Sequence, residues 1–147
     1  MDTTPARRLT QAGAERIMAA ALAKARELGR AMSVAIVDEG GHLLLFTRME
    51  QGKAHTVTIA QAKARAAASN RMPTGKVGST GHPLDDHAAL AITLAAGLDR
   101  FTTLPGGLPI LADGHCVGGI GVSGGTGAED VEVAQAGVAA LAAAGRP

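Results

Sequence analysis

The sequence predicts an α+β sandwich, in which helices flank one mainly antiparallel sheet of about five strands. Two hairpin patterns predict the sheet, because short β-rich segments are joined by turn residues around Gly40 and again at Asp113-Gly114. Helical patterns precede the first hairpin, separate the two hairpins and follow the second. The length of 147 residues suits a single domain spanning residues 1–147.

The first helix and the first hairpin follow from local signals. Pro5, placed after Thr4, predicts a helix start, and Gly29 predicts its end. Ser33 to Val37 does not alternate between polar and apolar residues, so we expect both faces of this strand to be covered. The returning strand covers residues 43–50.

The middle of the chain predicts two helices separated by a long irregular segment. An alanine-rich helix begins at His55 or Thr56 and ends near Ser69. Residues 70–86 are rich in glycine and proline, which is typical of a functional or mobile loop. A further helix then ends near Gly97.

The last third predicts strands and a capped helix. Residues 101–104 form a short strand or a loop, and residues 110–112 pair with residues 115–123. Thr126-x-x-Glu129 predicts a capping box for the last helix, which is expected to end at Gly145.

The composition excludes several classes of partner. Hydrophobic residues make up 46% of the chain and charged residues 18%, as in ordinary globular proteins. A net charge of +1, with two phenylalanines as the only aromatic residues, argues against nucleic-acid binding. Since no apolar run approaches a membrane span, we expect a cytoplasmic protein with no membrane partner. Small side chains limit the apolar burial of one chain, which predicts a homo-oligomer.

The glycine-rich loop around residues 114–127 carries the clearest functional pattern. Gly119-x-Gly121-x-x-Gly124 fits a dinucleotide fingerprint, but too few residues follow for the second strand and acidic residue that this fingerprint needs. The glycines therefore either line a ligand site or let a helix pack closely on the strand. The amides that precede the last helix can present N–H groups to a ligand.

Candidate site residues concentrate near this loop and the first hairpin. Arg48, at a strand end, can bind a carboxylate through two guanidinium N–H groups, or form a surface salt bridge. Glu50, His55 and His87 are the candidates for carrying a proton in catalysis. Lys63 is either solvated or a ligand contact, and no metal site is predicted. The predicted ligand-binding residues are Arg48, Met49, His55, Lys63, Gly107, Gly119, Gly121, Ser123, Gly124 and Gly125.

The combined motifs resemble the GlcG/HbpS-like haem-binding family over residues 9 to 144. The matching motifs are Val34-Ala35-Ile36-Val37-Asp38-x-x-Gly41-x-Leu43, Phe46-x-Arg48-Met49-Glu50, Ala60-x-x-Lys63-Ala64, Pro105-Gly106-Gly107-Leu108-Pro109-Ile110, Val117-Gly118-Gly119-Ile120-Gly121-Val122-Ser123-Gly124 and Asp130. The resemblance implies a profilin-like α/β sandwich, a homo-oligomer (dimer or higher) and haem or a corrinoid as cofactor. The side chains available as iron ligands are His42, His55, His82, His87, His115, Met49, Met72 and Cys116.

Three functions remain open at this point. The first is a small-molecule binding protein for haem, a corrinoid or a small organic acid. The second is a cofactor-independent tautomerase, isomerase or lyase acting on an organic acid, with the amides of Ser123 to Gly125 as an oxyanion hole. The third is an accessory oligomeric subunit without chemistry.

Overall fold

The computed structural model describes residues 1–144, which form four helices and one sheet of four strands. The helices are α1 (Gln11–Glu27), α2 (His55–Asn70), α3 (Asp86–Ala96) and α4 (Gly127–Ala144). The strands are β1 (Ser33–Asp38), β2 (Leu43–Arg48), β3 (Gly107–Ala112) and β4 (His115–Ser123). The sheet is antiparallel throughout in the order β2-β1-β4-β3, so the α+β class is confirmed. The predicted helix end at Gly145 lies outside the described residues.

The sheet has four strands and not about five, because residues 101–104 form no ladder. The N–H group of Leu104 donates to the Thr102 hydroxyl at 3.2 Å, so a local bond takes the place of a strand partner. Pro105 has no N–H group, and Gly106 turns the chain with a φ of +119° before β3 begins.

Two predicted helix boundaries have different outcomes. The start of α1 after Pro5 is wrong, since Thr10 is the capping residue and its hydroxyl accepts from the Gly13 N–H at 3.0 Å. The end of α1 is confirmed, because Gly29 follows the helix with a φ of +69°. Within residues 1–144, no helix is both long and apolar enough to cross a membrane.

Helices cover both faces of the sheet, as the unbroken apolar run of β1 predicts. α1 and α4 pack on the face that carries Ile36 and Ile120, and these side chains are fully buried. α2 packs on the other face, where its alanines meet Ala35 and Val37. Both faces of β1 are therefore buried, except near Asp38 at its end.

The glycines of β4 let α2 approach the sheet at backbone distance. A Cβ at Gly121 would overlap the Ala60 carbonyl and lie 2.5 Å from the Ala64 nitrogen. A Cβ at Gly119 would overlap the Ala64 carbonyl, and one at Gly107 would lie 2.5 Å from the Lys63 carbonyl oxygen. The α2 backbone therefore fills the space beside these three glycines, in agreement with the close-packing interpretation of Gly119 and Gly121. The helix that packs closely on these glycines is α2.

Candidate ligand-binding sites

The strand register brings two groups of predicted site residues to one edge of the sheet. Ser33, the first residue of β1, pairs with Arg48 of β2 on one side and with Ser123 of β4 on the other. Directly paired residues share a face of the sheet. Ser33 marks the α2 face, because its hydroxyl lies 2.9 Å from the Thr56 hydroxyl in the first turn of α2. We call this edge, residues 48–55 and 123–125, the strand-end site.

Arg48 and His55 are the available polar side chains of the strand-end site. Arg48 is the last residue of β2 and His55 is the first residue of α2, and both are exposed. Within residues 1–144, neither the guanidinium nor the imidazole forms a hydrogen bond or an ion pair. Glu50 is also exposed between them. This edge therefore presents a guanidinium and an imidazole that form no hydrogen bond or ion pair with any other described residue.

Met49 belongs to the same edge, but its sulfur already accepts a hydrogen bond within the chain. The Met49 N–H donates to the Met32 carbonyl at 2.9 Å, and its sulfur accepts from the Met32 N–H at 3.4 Å. Met32 also lies beside the glycine turn, where a Cβ at Gly125 would sit 2.7 Å from its terminal carbon. Met32 thus joins the two halves of the strand-end site, while Met49 has a structural contact.

Two of the amides after β4, those of Gly125 and Thr126, are engaged within the chain. The Gly125 N–H donates to the Asp130 carboxylate at 2.9 Å. The Thr126 N–H donates to the Glu129 carboxylate at 2.9 Å, and the Glu129 N–H donates to the Thr126 hydroxyl at 3.2 Å. The capping box is therefore confirmed. The Gly125 amide cannot serve as an oxyanion-hole donor while Asp130 accepts from it.

Lys63, predicted as solvated or as a ligand contact, is instead buried against Asp130. Its ammonium donates to the Asp130 carboxylate at 2.8 Å and to the Val122 carbonyl at 2.7 Å. Burial lowers the pKa of the Lys63 ammonium and raises the pKa of the Asp130 carboxyl, and the opposite charge offsets each shift in part. Lys63 is therefore closed to a ligand in this conformation.

His87, the third candidate proton carrier, does not join the strand-end site. It lies exposed in the first turn of α3, which Asp85 caps by accepting from the Ala88 N–H at 2.7 Å. No hydrogen bond links α3 to residues 48–55 or 123–125 in the described chain. No described contact therefore brings Glu50, His55 and His87 together.

A cavity of about 510 Å³ opens at the other end of β1, where sequence reasoning placed no site. We call it the turn cavity. The β1–β2 turn, the second half of α2 and the segment after α3 form its walls. It is lined by Glu39, Gly40, Gly41, His42, Leu43, Arg65, Ser69, Ala96, Asp99, Arg100 and Phe101.

Arg65 holds the walls of the turn cavity together. It donates to the carbonyls of Gly41 at 3.3 Å and Asp99 at 2.9 Å, and to the Gln61 side chain at 3.3 Å. No local sequence pattern indicates this role, because the carbonyl partners of Arg65 lie 24 and 34 residues away along the chain. Among the cavity residues, only His42 was considered as a ligand from the sequence.

Comparison with known proteins identifies the fold and the family. A model described as "Haem degrading protein HbpS-like" matches residues 9–139. Protein GlcG of Escherichia coli K12 is 38% identical over 115 residues, which cover 78% of this chain and 81% of GlcG. The crystal structure of Klebsiella pneumoniae protein ORFY has a TM-score of 0.83 at 30% identity and covers 97% of both chains. The crystal structure of a PduOC–haem complex has a TM-score of 0.81 at 27% identity, covering 91% of this chain and 95% of the other. The chain belongs to the HbpS-like family.

Proposed function

We propose that this chain is a binding protein whose ligand is haem, and that haem binds at the strand-end site. The observation that carries the proposal is the pair of exposed, unpartnered side chains Arg48 and His55 at one sheet edge. Imidazole is a common axial ligand of haem iron, and a guanidinium matches a propionate with two parallel hydrogen bonds. The family description and the haem complex of a relative support this choice of ligand.

The donor set of the strand-end site fits haem through His55. The thioether of Met49 is the alternative iron ligand, but the Met32 N–H already occupies its sulfur. Arg48 and the exposed Lys53 supply two cations for two propionates on the same short connection. The iron would supply the binding chemistry, while these side chains would hold and orient the macrocycle.

The other candidate functions have weaker support. The enzyme alternative needs free amides for an oxyanion and a placed proton carrier, but the amides of Gly125 and Thr126 are engaged within the chain. A corrinoid remains an alternative, because this chain is 29% identical to the corrinoid adenosyltransferase PduO of Salmonella typhimurium LT2. That match covers only 35% of PduO, so its activity is not transferred to this chain.

The proposal includes a second copy of this chain as a partner at α3. Leu90 and Leu94 lie four residues apart in a stripe on α3 and are each 61% exposed, and Leu98, which is 68% exposed, follows the end of the helix. Ala89 is the only buried residue of α3, and residues 88–98 carry no charged side chain. A charge-free stripe suits a symmetric interface, in which each patch meets its own copy without like-charge repulsion.

Haem titration followed by the Soret band tests the proposed site. We expect His55→Ala to weaken haem binding by at least about tenfold, which corresponds to about 1.4 kcal/mol. His87→Ala is the matched control, because it removes an exposed histidine from the first turn of another helix. Equal affinity in the wild type and in His55→Ala would remove His55 from the site.

Arg48→Lys tests the propionate contact separately. Lysine keeps the charge but loses the two-pronged geometry, so haem affinity should fall several-fold. The melting temperature should stay the same, because the Arg48 guanidinium forms no hydrogen bond or ion pair within residues 1–144. Arg26→Lys, an exposed arginine in the last turn of α1, is the control. Unchanged haem affinity in Arg48→Lys would show that no such contact forms.

A further inference from the structure

We propose that the turn cavity binds a small aliphatic α-amino acid, independently of haem at the strand-end site. The cavity has about 510 Å³, which lies within the range of small-molecule sites. It opens beside the β1–β2 turn, whereas the strand-end site lies at the opposite end of β1. The cavity combines a fixed guanidinium, charges of both signs and an apolar part of its wall.

The guanidinium of Arg65 is fixed before any ligand arrives. Its bonds to the carbonyls of Gly41 and Asp99 and to Gln61 use three of its five N–H groups. Two N–H groups remain for an acceptor in the cavity. Because the Arg65 side chain is already ordered, binding of a carboxylate there costs little Arg65 side-chain entropy.

Two further groups of basic character line the same cavity. Arg100 is exposed and its side chain forms no ion pair within residues 1–144. The backbone N–H groups of Arg100 and Phe101 both donate to the Gly97 carbonyl at 3.0 Å, which fixes the backbone at this point. His42 is positioned by its own N–H, which donates to the Asp38 carboxylate at 2.9 Å. Arg65 of α2 and Arg100 of the segment after α3 therefore line the cavity from two parts of the chain.

Acidic groups balance these cations and decide the class of ligand. Asp99 and Glu39 line the cavity together with Arg65 and Arg100, and the Glu39 carboxylate also forms an ion pair with Arg8 at 3.8 Å. Two carboxylates would repel a simple dianion, and two guanidinium groups would repel a simple amine. A zwitterion matches both signs, since its carboxylate faces the arginines and its ammonium faces an acidic side chain.

Part of the remaining wall is apolar and suits a short carbon side chain. Phe101 is half-buried, while Leu43 and Ala96 are exposed beside the polar groups. Leu43 is 45% exposed and would bury apolar surface against a bound side chain. An aliphatic amino acid such as leucine supplies both charges and this apolar part in one small molecule.

Calorimetric titration with L-leucine, isocaproate and isoamylamine tests the proposal. The last two compounds keep the carbon skeleton but lack the ammonium and the carboxylate respectively. We expect only leucine to bind in the millimolar range or tighter. Absence of leucine binding, or equal binding of isocaproate, would overturn the proposal.

Variants locate the leucine and separate it from haem. Arg100→Ala and Asp99→Asn should each weaken leucine binding by at least about tenfold, while Arg26→Ala, an exposed arginine of α1, should not. His55→Ala should bind leucine normally, and Arg100→Ala should bind haem normally. Unchanged leucine affinity in both Arg100→Ala and Asp99→Asn would overturn the proposal. It would also be overturned if His42→Ala lost haem binding and leucine competed with haem.

Discussion

Lys63 and Asp130 form an ion pair that is almost completely excluded from solvent, with 2.8 Å between the ammonium nitrogen and a carboxylate oxygen and side-chain exposures of 3% and 5%. The pair joins α2 to the first turn of α4 and, through the Val122 carbonyl, to the end of β4. Gly106 passes directly over it, where a Cβ would lie 2.8 Å from the Asp130 side chain. Three elements therefore depend on one buried contact.

Removing one partner of this pair should be far more damaging than removing both. Asp130→Ala leaves the Lys63 ammonium buried without its counter-charge, and we expect a loss of about 3–5 kcal/mol in the free energy of unfolding. Lys63→Met in the same chain should recover a large part of that loss, because methionine fills the space without a charge. Urea unfolding measures both, and a double variant no more stable than Asp130→Ala would contradict this account.

The same variant should respond to pH with a defined sign. Burial lowers the pKa of Lys63, so the unfolded chain holds this proton at a pH where the folded chain has released it. The stability of Asp130→Ala should therefore rise as the pH increases towards the ordinary lysine value of 10.5. The double variant with Lys63→Met should lack this rise.

Gly121→Ala tests the backbone contact between α2 and β4. The new Cβ would overlap the Ala60 carbonyl, so α2 must move away from the sheet. We expect a loss of about 1–3 kcal/mol in thermal or urea unfolding. Gly75→Ala is the control, because no atom lies within 4 Å of a Cβ at that position. Equal stability of the two variants would show that α2 is not held at backbone distance.

Glu129 should contribute stability that depends on pH. The Arg30 side chain donates to its carboxylate at 2.9 Å, and together with the Thr126 N–H this lowers the pKa of Glu129 from 4.5 to about 2. The contribution is present above pH 4.5 and is lost as the pH falls towards 2. Glu129→Gln should therefore melt below the wild type at neutral pH and approach it in acid.

Glu50→Gln is the control for this comparison, because Glu50 is exposed and has no ion pair within residues 1–144. Its melting temperature should follow the wild type across the whole pH range. A constant difference between Glu129→Gln and the wild type down to pH 2 would contradict the assigned pKa.

Local features could be predicted from the sequence because their signals lie within a few residues. Asp113 and Gly114 have φ values of +49° and +78°, as the hairpin pattern requires. Thr126 and Glu129 form the capping box that their spacing indicates. The start of α1 was wrong because two signals competed, and the capping hydroxyl of Thr10 outweighed Pro5.

The site residues were harder to predict, because their partners lie far away along the chain. Lys63 and Asp130 are 67 residues apart, so a charged side chain in an alanine-rich helix gave no sign of burial. Gly119 and Gly121 indicated a close approach correctly, but their spacing cannot tell a ligand from the backbone of α2. The ligand-binding roles of Arg48 and His55 remain predictions, since both side chains are exposed and no described contact assigns them a role.

The exposed stripe of α3 should control the association of this chain. Leu94→Lys places a charge in the stripe beside Leu90, and in a symmetric interface that charge would meet its own copy. We expect the mass measured by light scattering to fall to that of one chain. Leu111→Lys is the matched control, because Leu111 is exposed on β3 outside the stripe. A wild-type protein that is already monomeric at micromolar concentration, or an unchanged mass in Leu94→Lys, would exclude α3 as the interface.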